Sequence, residues 1–286
     1  MSTIQTTAPP PLPALTGRRA RLFDTWRRRL LIGVVVLYAG VLILAPLAGL
    51  VSGAVAHGLG AIASALLQPD VLRAFGLTLE IAGIVVVVHA VFGTAVAWVL
   101  ARHNFRGRRL VNGLIDLPFA VSAVVVGYML LLIFGRTGLL GPALDRMGIK
   151  IAFAVPGMAL ATLFVSLPFM IRELLPVLEA FGVEQEQAAA TLGASGWQTF
   201  WWVTFPALRW SFLYGVVLTF ARALGEFGAV LVIGGAVQGL TETATLYIYR
   251  ALDQRDYVGA YSAALVLGFL SLVLVTGIDV ARRRER

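Results

Sequence analysis

Long apolar runs separated by short polar segments dominate the hydrophobic pattern of this chain. Six runs reach about 20 residues or more, the length that a helix needs to cross the hydrocarbon core of a membrane. Lipid offers no partners for backbone N–H and C=O groups, and the runs lack the alternation of barrel strands, so helices are expected. The pattern therefore predicts an all-α membrane protein with six transmembrane helices, at about residues 30–55, 76–101, 114–134, 151–171, 210–235 and 261–280.

Composition agrees with a membrane protein. Hydrophobic residues make up 59% of the 286 positions and charged residues only 13%, which is too apolar for a soluble domain. The net charge of +8 would suit nucleic acid only if the basic residues formed one soluble face, but they lie between the apolar runs. We therefore expect the lipid bilayer, and no nucleic acid, as a partner. The chain has no cysteine, which excludes disulfides and thiolate metal sites.

Basic residues are distributed unevenly between alternate loops. Most of the 23 Lys and Arg residues lie in the two termini, the loop between the second and third runs, and the segment 172–209. The positive-inside rule places these parts in the cytoplasm, so both termini are predicted to be cytoplasmic. The predicted organisation is a disordered, Pro-rich tail over 1–29, a transmembrane domain over 30–280 and a basic tail over 281–286. The first run is too long for the apolar part of a signal peptide, so it is expected to remain as a helix.

The segment 172–209 is far longer than its neighbouring loops. Helix-forming residues fill Glu184–Leu192, and Gly193 then interrupts them. An aromatic stretch, Trp197–Trp202, follows and is expected to end at Pro206. The segment therefore predicts a short helix, a glycine corner and a second helix that enters the membrane.

A simpler interpretation treats this segment as an interfacial linker. Trp201 and Trp202 would then lie at the depth of the lipid headgroups, where tryptophan is enriched. That interpretation explains the tryptophans. It leaves the small-residue surface of Ala188, Ala189 and Gly193 without a reason, because a free surface does not need to be closely approachable.

The segment resembles the EAA loop of ABC importer permeases. In that motif Glu-Ala-Ala is followed after three residues by Gly and, after nine more, by an apolar residue, any residue, an apolar residue and Pro. Gln187 stands where the family usually has Glu; it keeps the size and hydrogen bonding but loses the charge, which puts an ion pair there in doubt. In the family this helix enters a cleft of the ATP-hydrolysing subunit, so the resemblance implies an ATPase-coupling loop. The matching positions are Gln187, Ala188, Ala189, Gly193, Val203, Phe205 and Pro206.

A wider resemblance covers most of the chain from about Asp70 to the last run. The stretches Asp116–Phe134, Val165–Glu179, Gly193–Trp210 and Leu213–Gly235 are similar to CysW-type permeases of sulfate/thiosulfate ABC transporters. The resemblance implies a type I ABC importer permease-like bundle in the bacterial inner membrane, with a permease core at about 70–280. It also implies a second homologous permease subunit, two ABC ATPase subunits and a periplasmic sulfate/thiosulfate-binding protein as partners.

The chain lacks the sequence that ATP hydrolysis through a P-loop requires. The Walker signature places a lysine directly after a glycine, and the only lysine here, Lys150, follows Ile149. We therefore expect a transport subunit that is not itself an enzyme and binds no cofactor. ATP and Mg are expected on the partner ATPase.

Polar residues inside the apolar runs are candidates for a translocation pathway. Arg222 and Glu226 are four residues apart in the fifth run, so they are predicted to share one helix face and to pair. The pair has two interpretations, a structural ion pair or a source of positive potential for an anion, and both can hold. In the third run Pro118 is expected to kink the helix, and Ser122 and Gly127 are expected to allow another helix to approach closely.

Three alternative functions remain open from the sequence. A permease for molybdate or another oxyanion would share the mechanism and differ only in substrate. A secondary anion transporter would need inverted repeats and coupling-ion carboxylates at the membrane midplane, of which the sequence gives little sign. A membrane scaffold without transport would leave the EAA-like loop unexplained.

Overall fold

The computed structural model describes residues 18–56 and 58–283, with side chains over 26–56 and 58–281. The Pro-rich part of the predicted tail, 1–17, and the last residues of the basic tail, 284–286, lie outside the described residues. The described part of the chain is built of helices. They are α1 Arg18–Val55, α2 Leu59–Leu66, α3 Pro69–Val88, α4 Thr94–Arg102, α5 Arg108–Ala120, α6 Ala123–Phe134, α7 Gly141–Arg146, α8 Val155–Phe181, α9 Glu184–Thr191, α10 Gly196–Thr199, α11 Phe205–Leu224, α12 Gly228–Gly234, α13 Ala244–Asp253 and α14 Tyr257–Arg283.

The first helix begins earlier than the sequence predicts. It starts at Arg18, so residues 18–29, predicted as part of a disordered tail, are helical instead. The reason is composition, because arginine, a good helix former, fills half of this stretch, and its alanine and leucine also favour a helix. The chain divides at Leu50 into a first unit consisting largely of α1 and a second unit that contains the remaining helices. Along α1, the side chains of Trp26–Leu50 are exposed or half-exposed, as lipid-facing residues would be.

Five continuous helices in the described part of the chain are long and apolar enough to cross a membrane. Two of them contain a wider π-helical turn, at His89–Gly93 between α3 and α4 and at Phe200–Thr204 between α10 and α11. A bent pair of helices corresponds to the one remaining predicted span, the third. The five are Trp26–Val55, Pro69–Arg102, Val155–Phe181, Gly196–Leu224 and Tyr257–Ala281, and the pair is Arg108–Ala120 with Ala123–Phe134.

The third predicted span is sharply bent. Helices α5 and α6 meet at an angle of 112°. The sequence predicts a kink at Pro118, but α5 continues through this residue, and the break lies at Val121 and Ser122, which are both extended. Ser122 occupies the position directly before α6, where serine is favoured and the backbone is extended, which is consistent with a break after the proline.

The fifth predicted span, 210–235, is interrupted. Helix α11 ends at Leu224 and α12 begins at Gly228, so Arg222 lies in the last turn of one helix and Glu226 lies between the two. The prediction that both residues share one helix face is therefore wrong. Gly225 and Gly228 flank the break, and glycine is a poor helix former because its backbone loses the most freedom on ordering.

Helix α8 forms the centre of the second unit. It is the most buried of the five continuous spans, because 61% of the residues in its most apolar stretch are buried inside the protein. One hydrophobic cluster includes Met158 and Val165, and a second, further along the same helix, includes Met170 and Leu174. The helices α3, α4, α5, α6, α11 and α12 pack against it. A movement of any of these helices therefore changes its packing against α8.

Candidate functional site

The segment predicted to couple to an ATPase forms a helix, a corner and a second helix. Helix α9 ends next to Gly193, whose φ of +88° is the left-handed conformation that glycine adopts most readily. Ser195 then caps α10, because its hydroxyl accepts the Gln198 N–H while the Gln198 side chain accepts the Ser195 N–H. The helix, the glycine corner and the second helix are those that the sequence predicts, whereas the Ser195 cap was not predicted.

The corner presents an unusually exposed apolar surface. Leu192 is 89% exposed, Trp202 is 81% exposed and Trp197 is 72% exposed. A shallow cavity of about 420 Å³ lies between Leu192 and Trp202, lined by residues 192–194, 198, 199, 202 and 203. Exposed apolar groups gathered around a cavity are typical of a surface that binds another protein. We refer to this surface, residues 192–203, as the corner surface.

The predicted motif residues differ in exposure between α9, the corner and the helix that follows it. Gln187, Ala188 and Gly193 are exposed, and Ala189 is half-buried. A Cβ added at Gly193 would have no atom within 4 Å, so the space beside the corner is open. Val203 and Phe205 are half-buried below the corner, where Phe205 lies against Trp201 and Phe212.

Pro206 does not end the aromatic segment. The helix from Gly196 to Leu224 is continuous across it, so the prediction that the segment ends there is wrong. The π-helical turn before it has the Phe205 N–H donating to the Phe200 carbonyl, five residues back. Pro206 lies in the first turn of α11, where its missing N–H is tolerated. The aromatic residues are therefore joined rigidly to the fifth span.

A buried ion pair attaches α9 to the end of the second span. The Arg102 Nε and Nη2 atoms donate to the two carboxylate oxygens of Glu186, both at 2.9 Å. Arg102 Nη1 also donates to the Leu178 carbonyl at 2.8 Å, and the Thr204 hydroxyl donates to Glu186 at 2.8 Å. This group was not predicted from the sequence; the available signal was an arginine at a helix end and an acid in the first turn of α9.

Two further ion pairs join α5 and α8. Arg172 on α8 donates to Asp116 on α5, with the Nε–Oδ1 distance at 2.8 Å. Arg108 donates to Glu179 at 3.0 Å. These contacts place the loop between α4 and α5 at the same end of the bundle as the corner surface. That grouping is the one expected if both lie on one side of the membrane.

Glu226 occupies the break in the fifth span. Its carboxylate accepts from Arg222 Nη1 at 2.8 Å and from the Ala229 N–H at 3.0 Å, so it pairs with the arginine and also caps the start of α12. Its side chain is 2% exposed, against 30% for Arg222. The Thr245 hydroxyl donates to the Glu226 carbonyl at 2.6 Å. The predicted pairing is thus present, although it spans a helix break rather than one helix face.

The break at Ser122 lies beside the break at Glu226. A Cβ on Gly228 would come within 3.0 Å of the Val124 side chain, and one on Gly127 would come within 2.6 Å of the Ala229 carbonyl oxygen. Helices α6 and α12 therefore pack closely with their N-terminal ends together. Ser122 is exposed at this position, whereas Pro118 is buried on α5. Of the four candidate pathway residues, Ser122, Arg222 and Glu226 lie at or next to these two neighbouring helix breaks, and Pro118 does not.

The opposite end of the bundle carries another polar group. The Arg250 Nε donates to Glu242 at 2.6 Å, and these hydrogen bonds raise the pKa of the Arg250 guanidinium above its ordinary value. Glu242, Asp70 and Arg73 help to line a cleft of about 370 Å³. The Gln238 amide donates to Asp70 at 2.6 Å, which links the segment after α12 to the start of α3.

The described part of the chain is a multi-pass helical bundle with breaks within its spans and an exposed apolar surface at one end. The sequence profile of the binding-protein-dependent transport system inner membrane components matches residues 89–284. The chain belongs to this family and is a transport permease subunit.

Relatives with assigned names support a narrower grouping. The chain is 50% identical over 243 residues to the sulfate transport system permease protein CysW of Synechococcus elongatus, covering 85% of each chain. It is 45% identical over 250 residues to the protein of the same name from Escherichia coli, covering 87% of this chain and 85% of that one.

A solved structure supports the fold. A chain of a bacterial alginate ABC transporter, crystallised in complex with an alginate pentasaccharide-bound periplasmic protein, superposes with a TM-score of 0.76. The match covers 93% of this chain and 96% of that chain, at 18% sequence identity. At this identity the likeness establishes a shared ABC transporter permease fold.

Proposed function

We propose that this chain is the membrane-spanning permease subunit of an ATP-binding cassette importer that carries sulfate or thiosulfate across the bacterial inner membrane. The observation that carries the proposal is 50% identity, over 85% of the chain, to a protein named as a sulfate transport permease. The exposed corner surface supports a coupling role, because it offers apolar side chains and a cavity for a protein partner.

The proposed assembly contains the partners that the sequence suggests. They are a second homologous permease, two ABC ATPase subunits that bind ATP and Mg, and a periplasmic sulfate/thiosulfate-binding protein. Closure of the ATPase pair would move the corner surface of each permease and swing the bundle between inward-open and outward-open states. This chain itself binds no cofactor in the proposal. The binding protein would carry most of the substrate discrimination.

The proposed route for the anion passes the two helix breaks. Ser122 lies at the start of α6, and Arg222 and Glu226 border the start of α12. The start of α6 carries N–H groups without a side-chain cap and a partial positive charge, which favour an anion without burying a full countercharge. At the start of α12 the Ala229 N–H is already bound by Glu226, so Arg222 is proposed to supply the positive potential there. Pro118 is proposed to act indirectly, by weakening α5 near the bend.

Uptake by the reconstituted importer tests the proposed function. Vesicles that contain this chain and its partners are expected to accumulate radiolabelled sulfate or thiosulfate only when ATP and binding protein are supplied. Vesicles prepared without this chain give the background rate. Preferred uptake of molybdate would support the alternative oxyanion permease, and uptake driven by an ion gradient without ATP would support a secondary transporter.

The proposed orientation has both termini in the cytoplasm. A reporter inserted in 236–260 is expected to be periplasmic, and one inserted in 180–195 cytoplasmic. The expectation rests on the excess of arginine in the segments grouped with the corner surface. Accessibility of each reporter to a membrane-impermeant reagent in intact cells measures it, and reversed labelling at both positions would contradict the orientation.

A further inference from the structure

Helix α9 has little packing of its own. None of its residues, all of which lie in the described part of the chain, is buried. Hydrophobic burial, which attaches most surface helices to a protein, therefore does little to position α9. The helix nevertheless lies between the end of α8 and the corner surface, where its orientation matters for a partner that docks there.

The contacts of Glu186 supply the missing attachment. Its side chain is 15% exposed and that of Arg102 is 6% exposed, so the pair is shielded from water. A paired guanidinium and carboxylate with two parallel hydrogen bonds fix both the distance and the relative orientation of the groups that carry them. The same carboxylate accepts from Thr204 in the π-helical turn, while Arg102 donates to the Leu178 carbonyl at the end of α8.

These contacts join α9 to the ends of the second, fourth and fifth spans. We propose that Arg102, Glu186 and Thr204 form a joint that transmits the movement of α9 to these spans, so that they act as positioning residues for coupling. The inference rests on the proposed function. The joint does not involve Gln187, the residue at the Glu position of the EAA motif, whose side chain is exposed.

A purely stabilising role would predict a different result from a coupling role. Replacing both partners of a buried ion pair with apolar residues of similar size is often neutral for stability, because no charge is left unpaired. The double variant Arg102→Met with Glu186→Met should therefore still assemble. It would lose the directional bonds that orient α9.

The chain offers a matched control. Arg108 and Glu179 also form an ion pair at this end of the bundle, but their side chains are 37% and 50% exposed. The double variant Arg108→Met with Glu179→Met removes the same charges without touching α9. The variant Thr204→Val removes one hydrogen bond from the joint and preserves the shape of the side chain.

The first readout is the ratio of two rates, sulfate transport and ATP hydrolysis, each measured per assembled importer. A folding defect lowers both rates together, whereas loss of the joint lowers the ratio. We expect the Arg102→Met, Glu186→Met variant to lose at least about tenfold in this ratio, Thr204→Val about twofold to threefold, and the control less than twofold. An unchanged ratio in the first variant would overturn the proposal.

The second readout does not depend on transport. Because the chain has no cysteine, spin labels can be placed on the variants Gln185→Cys on α9 and Val99→Cys on α4, both at exposed positions. The distance distribution between the labels should be narrow with the joint intact or with the control substitutions, and at least twofold broader without the joint. A narrow distribution in the Arg102→Met, Glu186→Met background would refute the joint. If the unsubstituted importer fails to transport while the broadening is observed, the proposed function fails and the joint stands.

Discussion

Replacing Gly193 with aspartate is expected to abolish transport while leaving the chain folded and inserted. An added Cβ meets no atom within 4 Å, so the bundle itself has room for the substitution. The φ of +88° disfavours side chains, but aspartate is among the residues that tolerate this region, at a cost of roughly 1–2 kcal/mol or less. The effect should therefore arise at the docked surface, where an unpaired carboxylate costs several kcal/mol on burial.

The expected loss is large because each 1.4 kcal/mol is about a tenfold change in affinity. Association with the ATPase should weaken by about a hundredfold or more, and uptake should fall to background. Co-purification of the ATPase and uptake per inserted chain measure the two effects. Gly107→Asp is the matched control: Gly107 has a φ of +95°, also faces open space, and lies outside the corner surface. Wild-type uptake by the Gly193→Asp variant would remove the coupling role from this corner.

Neutralising the Arg222 and Glu226 pair is expected to leave an assembled importer that transports poorly. The double variant Arg222→Gln with Glu226→Gln leaves no uncompensated charge, and a glutamine at position 226 keeps an acceptor for the Ala229 N–H. A unit charge about 4 Å from an anion contributes about 4 kcal/mol at an effective dielectric near 20, part of which Glu226 offsets. We therefore expect uptake per assembled complex to fall at least about tenfold.

The single variant Glu226→Ala serves as the contrast. It removes the helix cap and leaves Arg222 unpaired, so it should lose about 3–5 kcal/mol of stability and fail to assemble. Exchanging the two charges would be a weaker test, because an arginine at position 226 cannot accept the Ala229 N–H. Uptake of sulfate by the double glutamine variant at the wild-type rate would show that the pair is structural and has no part in the anion route.

The corner surface could be predicted from sequence because its signals are local. Helix formers, Gly193 and the following aromatic stretch lie within one short segment, and each has a direct conformational preference. The breaks in the spans were harder to place. Pro118 indicated a bend in the third span, but the position of the bend depends on Ser122 and Val121 as well as on how α6 packs.

The break in the fifth span was missed because glycine is also common inside membrane helices, so Gly225 and Gly228 gave no clear signal. The Glu226 cap that stabilises α12 becomes visible only when the backbone is known. The contact between Arg102 and Glu186 lies beyond sequence reasoning for another reason. The two residues are 84 positions apart, and no periodicity relates residues that tertiary packing brings together.

The π-helical turn at Phe200–Thr204 sets the angular phase between the corner surface and the fifth span. A π turn holds one residue more than an α turn, and one residue corresponds to about 100° of rotation around a helix axis. The exposed Trp197 on α10 and the packed face of α11 are thus aligned through the number of residues in this turn rather than through their chemistry. A change of length here would rotate the docking surface as a whole, whereas most changes of side chain would leave its direction intact.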